Sequence, residues 1–482
     1  MTRPQQHLLF INNRAEAAAG RDSIPVVDPS SGESLGTLAR GTAADIDRAV
    51  GAARSAYDRA WSKTPAVTRG RLLMRWSQLV LEQADTLAML ECLDTGKPLR
   101  QAKADAAALA RYFEFYAGAA DKLHGQTIPY QDGFTVLTVR EPHGVTGHII
   151  PWNYPMQIFG RSVGAAIAVG NACVCKPAED ACLSLLKVAE LGAEAGLPEG
   201  VLNIVTGLGA EAGAALAAHR GIDHISFTGS PVTGTAVAQA AAAHHCPVTL
   251  ELGGKSPQLV FADADLDAAL PVLVNAIIQN GGQTCSAGSR VLVDRAIAPE
   301  LSRRLAERFA ALVAGPGVAD LDLGPLISAR QQQRVGRMIE TALGGGVEIA
   351  AEGRIAADAP AGGFYQKPLL LADLPTGHAL LSEEIFGPVL VVQPFDGEEQ
   401  AIALANGTPY GLVAGVWTRD GARQMRLARR LQSGQVFVNN YGAGGGVELP
   451  FGGVKQSGYG REKGFEALYG FTTLKTIALQ HG

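Results

Sequence analysis

Apolar residues recur at helical spacing through the first quarter of the chain. The segment Thr42-Ala43-Ala44-Asp45 has the residue order of a capping box, which marks the start of a helix. Apolar positions then follow every three or four residues: Ile46, Ala49, Val50, Ala53, Tyr57 and Trp61. Similar patterns predict helices over about 66–92 and 99–121. The N-terminal region is therefore predicted to be largely helical after a short strand-rich start.

From about residue 144 the pattern changes to short apolar runs that alternate with helical segments. The predicted strands are Val145–Ile150, Ala172–Cys175, Val201–Val205, His224–Thr228 and Thr249–Leu252. The predicted helices between them cover 157–168, 182–195, 210–218 and 232–243. This rhythm predicts an α/β fold with a parallel sheet and crossover helices. A second alternating series, from about 256 to 440, predicts a second α/β domain.

Two segments belong to neither series. Residues 125–142 alternate between apolar and polar positions like a β-hairpin, and Thr472–Ala478 reads as a single strand. A hairpin and a terminal strand that leave the domain cores are candidates for contacts between subunits.

Composition and charge narrow the class of protein. The chain has 482 residues, 47% of them hydrophobic, which predicts two or three domains with large cores. The net charge of −5 is spread along the chain without a Lys/Arg cluster, so no nucleic-acid partner is expected. No apolar run is long enough to span a bilayer, and Leu8–Ile11 is too short for a signal peptide. We therefore expect a cytoplasmic protein without a membrane partner.

The cysteines do not form a predicted disulfide framework or metal site. There are six in the long chain: Cys92, Cys173, Cys175, Cys182, Cys246 and Cys285. Cys173 and Cys175 lie in an apolar strand without a second Cys/His pair at ligand spacing, so we predict no metal.

Cys285 and Glu251 are the first candidates for chemistry. Cys285 follows a helical segment, Asp267–Gln279, and a Gly281-Gly282 turn, so it is either a reachable nucleophile or an inert buried thiol. No His and Asn/Asp set of the cysteine-protease type is evident near it. Glu251 ends a predicted strand, where ligands bind in α/β sheets, and the alternative is a solvated or capping carboxylate.

Three further loops follow strand ends. Phe227–Gly234 runs from a strand through a glycine turn into a helix, whose free N–H groups are suited to a phosphate. Asn153 is placed to donate to a developing oxyanion, unless its segment is only a rigid Pro-framed turn. Lys176 and Glu179 are placed to bind the hydroxyls of a ribose, and a Glu there disfavours a 2′-phosphate.

Together these segments resemble the aldehyde dehydrogenase superfamily, in its hydrolytic, NAD(P)-dependent branch. The matching segments occur in the family's order: Pro151-Trp152-Asn153, Lys176–Glu179, Phe227–Ser230, Glu251–Lys255, Gly282–Cys285, Glu383–Pro388 and Pro450–Gly453. The resemblance covers nearly the whole chain. A more distant similarity to semialdehyde dehydrogenases rests on Arg161.

The resemblance implies a role for each matching residue. The implied catalytic residues are Cys285 as nucleophile, Asn153 as oxyanion donor, Glu251 as general base and Glu462 as a proton relay. The implied contacts to NAD or NADP are Pro151, Trp152, Lys176, Glu179, Gly229, Ser230, Leu252, Glu384 and Phe386. Glu251 favours hydrolysis of a thioester over its transfer to coenzyme A, because the acylating branch typically lacks this glutamate.

The resemblance also implies the architecture. Residues 1–124 and 143–251 would form a Rossmann-like dinucleotide-binding domain, and 252–446 a catalytic domain. Residues 125–142 and 447–482 would form a small β bridging segment that joins subunits into a homodimer or homotetramer.

The substrate is predicted to be an aldehyde with aromatic or carboxylated character. Arg161, eight residues after Asn153, matches an Arg that faces a substrate carboxylate in semialdehyde dehydrogenases, and the alternative is an Arg that only packs at the tunnel mouth. Gln279 stands where succinate-semialdehyde enzymes have a second Arg, which weakens a dicarboxylic interpretation. The Gly-rich segment Tyr441–Gly446 predicts a roomy pocket. The rival classes are a catalytically silent structural relative and a cofactor-free thiol hydrolase.

Overall fold

The computed structural model describes residues 6–375, 377–442 and 446–482. The helices in these ranges are α1 (Ala43–Arg59), α2 (Ala66–Glu82), α3 (Ala84–Thr95), α4 (Leu99–Ala119), α5 (Pro155–Val169), α6 (Leu183–Glu194), α7 (Ala214–Ala217), α8 (Pro231–Ala242), α9 (Leu266–Ile278), α10 (Ala298–Ala311), α11 (Ala329–Gly344), α12 (Gly397–Asn406), α13 (Gly421–Arg430) and α14 (Glu466–Gly470). The strands are β1 (Gln6–His7), β2 (Leu9–Ile11), β3 (Arg14–Glu16), β4 (Ser23–Val27), β5 (Ser34–Ala39), β6 (Gln126–Ile128), β7 (Phe134–Pro142), β8 (Val145–Ile150), β9 (Ala172–Pro177), β10 (Leu202–Ile204), β11 (His224–Thr228), β12 (Val248–Glu251), β13 (Pro257–Val260), β14 (Arg290–Asp294), β15 (Val313–Ala314), β16 (Glu348–Glu352), β17 (Arg354–Ile355), β18 (Leu369–Ala372), β19 (Val389–Phe395), β20 (Tyr410–Gly411), β21 (Val413–Trp417), β22 (Gln435–Val438), β23 (Val454–Lys455), β24 (Gly458–Tyr459) and β25 (Thr472–Gln480). None of the helices in the described ranges has the length and apolar character needed to cross a bilayer.

The first large sheet has the strand order β24-β12-β11-β8-β9-β10-β2-β3. Its five central strands, β12 to β10, are parallel, and antiparallel strands close both edges. The register sets Glu251 beside Thr228, which brings two strand ends to one edge. This confirms the parallel series predicted from the alternating pattern, and β8 and β11 have the predicted bounds.

Helices pack against this sheet through a continuous apolar core. Trp76 of α2 stacks on Phe113 of α4, with ring centroids 4.1 Å apart, and meets Phe159 of α5 edge-on at 5.9 Å. The Trp76 indole N–H donates to the Val188 carbonyl at 3.0 Å, so the buried polar atom is satisfied. Truncating such a buried aromatic typically costs about 3–5 kcal/mol.

The second large sheet has the order β16-β18-β19-β14-β13-β21-β22 and holds its own apolar core. The strands from β18 to β22 are parallel, as the second alternating series predicts. The chain passes from the first sheet to the second between Glu251 and Pro257. Glu251, a catalytic candidate, is therefore the last residue of β12, just before the chain enters the second sheet.

A separate three-stranded sheet has the order β25-β7-β6. β25 pairs antiparallel with β7 along its full length, from Thr472 beside Pro142 to Gln480 beside Phe134. The predicted hairpin and terminal strand are both confirmed, and they pair with each other. Large apolar side chains on β25 are exposed: Leu474 (57%), Ile477 (36%) and Leu479 (49%).

Two predicted helices differ from those observed. The segment predicted as one helix over 66–92 divides at Gln83, whose φ of −108° and ψ of 16° interrupt the helical backbone. The helix predicted over 210–218 begins as a wide π-turn, Gly209–Gly213, followed by the short α7. Its first glycine lies close to Lys176 and Glu179, where a Cβ would be 3.9 Å from both side chains. Neither interruption leaves a Pro signal inside the segment.

Candidate active site

Four of the predicted site residues, Asn153, Arg161, Gln279 and Cys285, line one cavity of about 420 Å³. Its wall includes Asn153, Arg161, Cys285, Phe437, Phe451 and Lys463, and Gln279 also lines it. Asn153 and Arg161 come from the end of β8 and from α5, whereas Cys285 comes from the loop after α9. Parallel strands present their carboxyl ends at one edge, which explains why residues so distant in sequence meet here.

The loop that carries Cys285 is held by a strained turn. After α9, Asn280 has a φ of 49° and Gly281 a φ of 62°, both in the left-handed region. Asn280 keeps this conformation through two bonds: its N–H donates to Gln101 Oε1 at 2.8 Å, and its Nδ2 donates to the Asn153 carbonyl at 2.8 Å. The turn is therefore anchored to the loop of Asn153.

The Cys285 thiol is half-buried at the cavity wall. Burial raises its pKa to about 11, while the positive charge of Arg161 opposes that rise. Close by, the Tyr154 and Thr284 hydroxyls share a hydrogen bond of 3.0 Å. The thiol is thus protonated near neutral pH, and attack on a substrate requires removal of its proton.

Asn153 is buried beside the same loop. Its Nδ2 donates to the Gln283 carbonyl at 3.0 Å. An amide nitrogen carries two hydrogens, so the second is available to a ligand in the cavity.

Glu251 ends β12 with its carboxyl group fully buried. Neither of its oxygens has a hydrogen-bond partner among the described residues. Burial raises the pKa of Glu251 well above its ordinary value, and Arg161 acts in the opposite direction. An unsatisfied buried carboxyl group is costly in a protein interior, which is typical of a group kept for chemistry.

The two residues at 253 and 254 have to be glycine because other parts of the chain lie very close to their Cα atoms. A Cβ at Gly254 would lie 2.5 Å from the Cys285 carbonyl oxygen, and one at Gly253 would lie 2.3 Å from Glu384 Oε2. The segment Glu251-Leu252-Gly253-Gly254 therefore brings the base candidate, the nucleophile loop and Glu384 together.

Arg161 is ion-paired with Glu462 rather than facing the cavity unpartnered. Both side chains are buried, the Ser226 hydroxyl donates to Glu462 Oε1 at 2.6 Å, and Arg161 Nη2 donates to Thr228 Oγ1 at 3.2 Å. The guanidinium also lies 5.0 Å from the centre of the Phe451 ring. A substrate carboxylate at Arg161 would have to compete with Glu462, so that role stays a prediction. The Gly-rich wall is described only at Tyr441, Gly442 and Gly446, because Ala443, Gly444 and Gly445 lie outside the described residues.

The ribose candidates lie at other strand ends of the same edge. Lys176 Nζ and Glu179 Oε2 are 2.9 Å apart after β9, and the Gly209 N–H donates to Glu179 Oε1 at 3.4 Å. Ser230 caps α8, and its Oγ accepts the Thr233 N–H at 3.3 Å. Gly229, just before it, donates its N–H to the Glu251 carbonyl at 3.0 Å.

A second set of cofactor candidates lies nearer the thiol. Glu384 Oε1 accepts the Gly254 N–H at 2.9 Å, and burial raises the Glu384 pKa to about 7. The Trp152 ring, after Pro151, meets Phe386 edge-on at 5.4 Å. Leu252 is buried and donates its N–H to the Ser457 carbonyl at 3.0 Å. Glu384 is close enough to Cys285 for its charge to add to burial in raising the pKa of the thiol, so this set lies beside the nucleophile.

Two features of the site have no signal in the local sequence. Lys463 lines the cavity, but although it directly follows Glu462, no pattern in the sequence predicts that its side chain is turned toward the cavity. Beneath Tyr154, Lys97 is buried with its Nζ 2.8 Å from Glu91 Oε1, ion-paired with Asp105 and 4.2 Å from the centre of the Tyr154 ring. Only the tertiary fold brings these charges together.

Comparison with known proteins identifies the family of this chain. The sequence profile of the aldehyde dehydrogenase family matches residues 16–477. The chain is 43% identical over 477 residues to the NADP/NAD-dependent aldehyde dehydrogenase PuuC of Escherichia coli K12, covering 98% of this chain and 95% of that protein. This chain therefore belongs to the aldehyde dehydrogenase family.

Solved structures show the same fold. A crystal structure of a Burkholderia cenocepacia chain assigned to the aldehyde dehydrogenases has 70% identity and a TM-score of 0.98, over 98% of this chain and 100% of that one. The NAD+ complex of aldehyde dehydrogenase from Bacillus cereus has 40% identity and a TM-score of 0.96, over 99% of this chain and 97% of that one.

Proposed function

We propose that this protein oxidises an aldehyde to a carboxylic acid with NAD(P), through a thioester on Cys285 that water hydrolyses with Glu251 as general base. The observation that carries this proposal is a cavity-lining thiol, Cys285, whose pKa is raised by burial and by the charge of a nearby buried carboxyl group, Glu251, that no donor among the described residues satisfies. The family to which the chain belongs supports the reaction class.

The residues present fit a dinucleotide. Lys176 and Glu179 offer a donor and an acceptor for the two hydroxyls of a ribose, and α8 offers N–H groups to a phosphate. Glu384, buried near the thiol, offers an acceptor for a second ribose. NAD or NADP bound here would accept the hydride that leaves the aldehyde carbon. A 2′-phosphate would meet the Glu179 carboxylate, which favours NAD.

The first half of the reaction belongs to Cys285 and Asn153. The Cys285 thiol first gives its proton to solvent water. The thiolate then adds to the aldehyde carbon and forms a thiohemiacetal anion, whose oxyanion accepts hydrogen bonds from Asn153 Nδ2 and the Cys285 N–H. Collapse of the oxyanion expels hydride and leaves a thioester on Cys285.

The second half belongs to Glu251. Its carboxylate removes a proton from water as the water attacks the thioester carbonyl, and the thiolate of Cys285 leaves. Arg161 and Glu462 lie next to this carboxyl group, and their charges adjust its pKa. The products are a carboxylic acid and the free thiol.

The test follows absorbance of reduced cofactor at 340 nm after addition of aldehyde and NAD. We expect turnover in the wild-type protein and none in Cys285→Ala. Cys246→Ala is the matched control, because Cys246 is another buried thiol that lies outside the cavity, and it should retain activity. Absence of reduced cofactor with any aldehyde would favour a structural relative, and ester cleavage without NAD would favour a thiol hydrolase.

We also propose that the protein forms a homodimer or homotetramer through the β25-β7-β6 sheet. The exposed apolar side chains of β25 support this assembly, because an apolar sheet face in water is stabilised when it is covered by a second copy.

A further inference from the structure

The cavity wall beside Cys285 carries two cations. Arg161 and Lys463 both lie over the ring of Phe451, at 5.0 Å and 5.4 Å from its centre, and Lys463 also lies 6.0 Å from the centre of the Tyr112 ring. Phe451 itself lines the cavity. If the proposed function holds, an aldehyde that reaches Cys285 passes this positively charged wall.

The charge of Arg161 is balanced inside the protein. Its guanidinium forms the buried ion pair with Glu462 and donates to Thr228, and Ser226 holds Glu462 in place. Breaking a buried pair of this kind leaves an uncompensated charge, so Arg161 is retained by Glu462 when a substrate enters.

Lys463 reaches the cavity through an unusual backbone. Glu462 is fixed by two hydrogen bonds to Phe451, with its N–H donating at 2.8 Å and its carbonyl accepting at 2.7 Å. Lys463 then has a φ of 60° and Gly464 a φ of 57°. A left-handed residue other than Gly costs roughly 1–2 kcal/mol, so the turn that sends Glu462 toward Arg161 and Lys463 into the cavity wall is kept at a cost.

The nearby carboxylate of Asp105 does not cancel this positive wall. It lines the cavity, but it is ion-paired with Lys97, and Gln157 Nε2 donates to its Oδ1 at 2.5 Å. Its charge is therefore compensated at the cavity floor.

The aromatic residues of the wall do not favour a cationic aldehyde. Phe437, Tyr441 and Phe451 would attract an ammonium group through their ring faces. However, two protein cations already lie over Phe451, and like charges in a partly desolvated cavity repel strongly.

We propose that Lys463 is the specificity-determining residue of this cavity and that the preferred substrates are aldehydes that carry a carboxylate, which the Lys463 ammonium binds through a charge-assisted hydrogen bond. Carboxylates suit a mobile ammonium because it has three donors and a flexible stem. The aldehyde end of the same molecule meets Cys285.

The test compares two aldehydes of similar shape, 4-carboxybenzaldehyde and 4-methylbenzaldehyde, with betaine aldehyde as the cationic probe. We expect the wild-type kcat/KM to rank them in that order. In Lys463→Met the ratio of the first to the second should fall about ten- to hundredfold, the range for a hydrogen bond to a charged group. Lys463→Arg should keep most of the ratio, and Lys187→Met, at a half-buried lysine on α6 that does not line the cavity, should leave it unchanged.

The pH dependence of the substrate preference gives a second test of the role of Lys463. Burial lowers the Lys463 pKa to about 8, Arg161 adds to that effect, and Cys285, Glu251 and Glu462 oppose it. Since only the protonated ammonium binds a carboxylate, the preference for 4-carboxybenzaldehyde should decline as the pH rises from 7 to 9.5. Lys463→Arg should show no such decline, and the ratio in Lys463→Met should be low at every pH.

A binding assay separates this proposal from the proposed function. Terephthalate resembles 4-carboxybenzaldehyde but has a second carboxylate in place of the aldehyde group. Calorimetry should show that it binds Cys285→Ala at least tenfold more tightly than it binds the Cys285→Ala/Lys463→Met double variant. Equal affinities, or a specificity ratio that Lys463→Met leaves intact, would overturn the role of Lys463 even in an active aldehyde dehydrogenase. Absence of turnover with every aldehyde would instead count against the proposed reaction.

Discussion

Glu251 and Cys285 divide the proposed reaction between them at the scale of single residues. Cys285 lines the cavity, whereas Glu251 lies behind it in a fully buried position. In the proposed reaction Cys285 attacks the substrate, and Glu251 then activates the water that hydrolyses the thioester.

Glu251→Gln should separate the two halves. The amide keeps the shape of the side chain but removes no proton, so thioester formation continues while hydrolysis slows by about 10²–10⁴-fold, the usual share of a general base. A stopped-flow trace should show a burst of reduced NAD close to one equivalent per active site, followed by slow turnover. Glu466→Gln, an exposed glutamate on α14, should behave as wild type. Unchanged steady-state turnover in Glu251→Gln would remove the assigned role.

The pH dependence of activity follows from the same two groups. Burial raises the pKa of Cys285 to about 11 and that of Glu251 well above its ordinary value. Both groups act in the deprotonated form. Because Cys285 acts before the hydride leaves, kcat/KM for a neutral aldehyde should increase as the pH rises from 7 toward 10, and because Glu251 acts in hydrolysis, the rate of thioester hydrolysis should increase over the same range. A profile that is flat or falls over this range, measured where circular dichroism shows the protein to be folded, would contradict these assignments.

At the scale of elements, the helices and strands that could be predicted are those whose apolar residues recur at a regular spacing in the sequence. The bounds of β8 and β11 follow from short apolar runs, and the start of α1 from its capping box. The division at Gln83 and the π-turn at Gly209–Gly213 have no periodic signal, since each depends on what the backbone meets in the folded core. The proposed domain boundaries stay a prediction.

The same distinction holds for the site. Residues at strand ends, such as Asn153 and Glu251, could be predicted to converge because parallel strands share an edge. The position of Lys463 in the cavity wall could not be predicted from the sequence, because it depends on a left-handed turn near the C-terminus. The buried Lys97 cluster depends on long-range packing in the same way.

The first helix gives a prediction about stability. Asp45 is fully buried, and its carboxylate accepts the N–H groups of Thr42 and Ala19, each at 2.8 Å, as well as a bond from Arg48 at 2.7 Å. Asp45→Ala leaves these donors unsatisfied and should destabilise the protein by about 1–3 kcal/mol, as a lower midpoint of urea unfolding. Asp47→Ala, in the same turn but 81% exposed, should change the midpoint little. Equal midpoints for the two variants would contradict the role of Asp45.

At the scale of the whole molecule, the three-stranded sheet has exposed apolar side chains that a second subunit would cover. Ile477 and Leu479 are two positions apart on β25, so their side chains lie on the same face of the sheet. Leu137 and Thr135, which are paired with them on β7, lie on that face as well. The Ile477 and Leu479 side chains are both exposed and belong to neither of the two apolar cores.

Replacing Ile477 and Leu479 by Asp should therefore dissociate the assembly. Two carboxylates on an interface are costly to bury, so light scattering after gel filtration should show a smaller species than the wild type. Leu81→Asp is the matched control, because Leu81 is a 55% exposed leucine on α2, and it should leave the mass unchanged. An unchanged mass in the double variant would place the interface elsewhere.

The pairing of β24 with β12 has a consequence for biosynthesis. Gly458 lies beside Glu251 in that pairing, and Phe451, Glu462 and Lys463 come from the same late stretch of the chain. The ribosome makes the thiol loop first and the cationic wall last, at about 5–20 residues per second. During that interval the nascent chain holds Cys285 without Phe451 over the cavity or the Arg161 pair beside Glu251. The cavity is therefore completed only at the end of synthesis. A polypeptide cut short by a premature stop before residue 451 would lack β24 at the edge of the first sheet, Ala467, Leu468 and Phe471 of its apolar core, and the Phe451 and Lys463 part of the cavity wall.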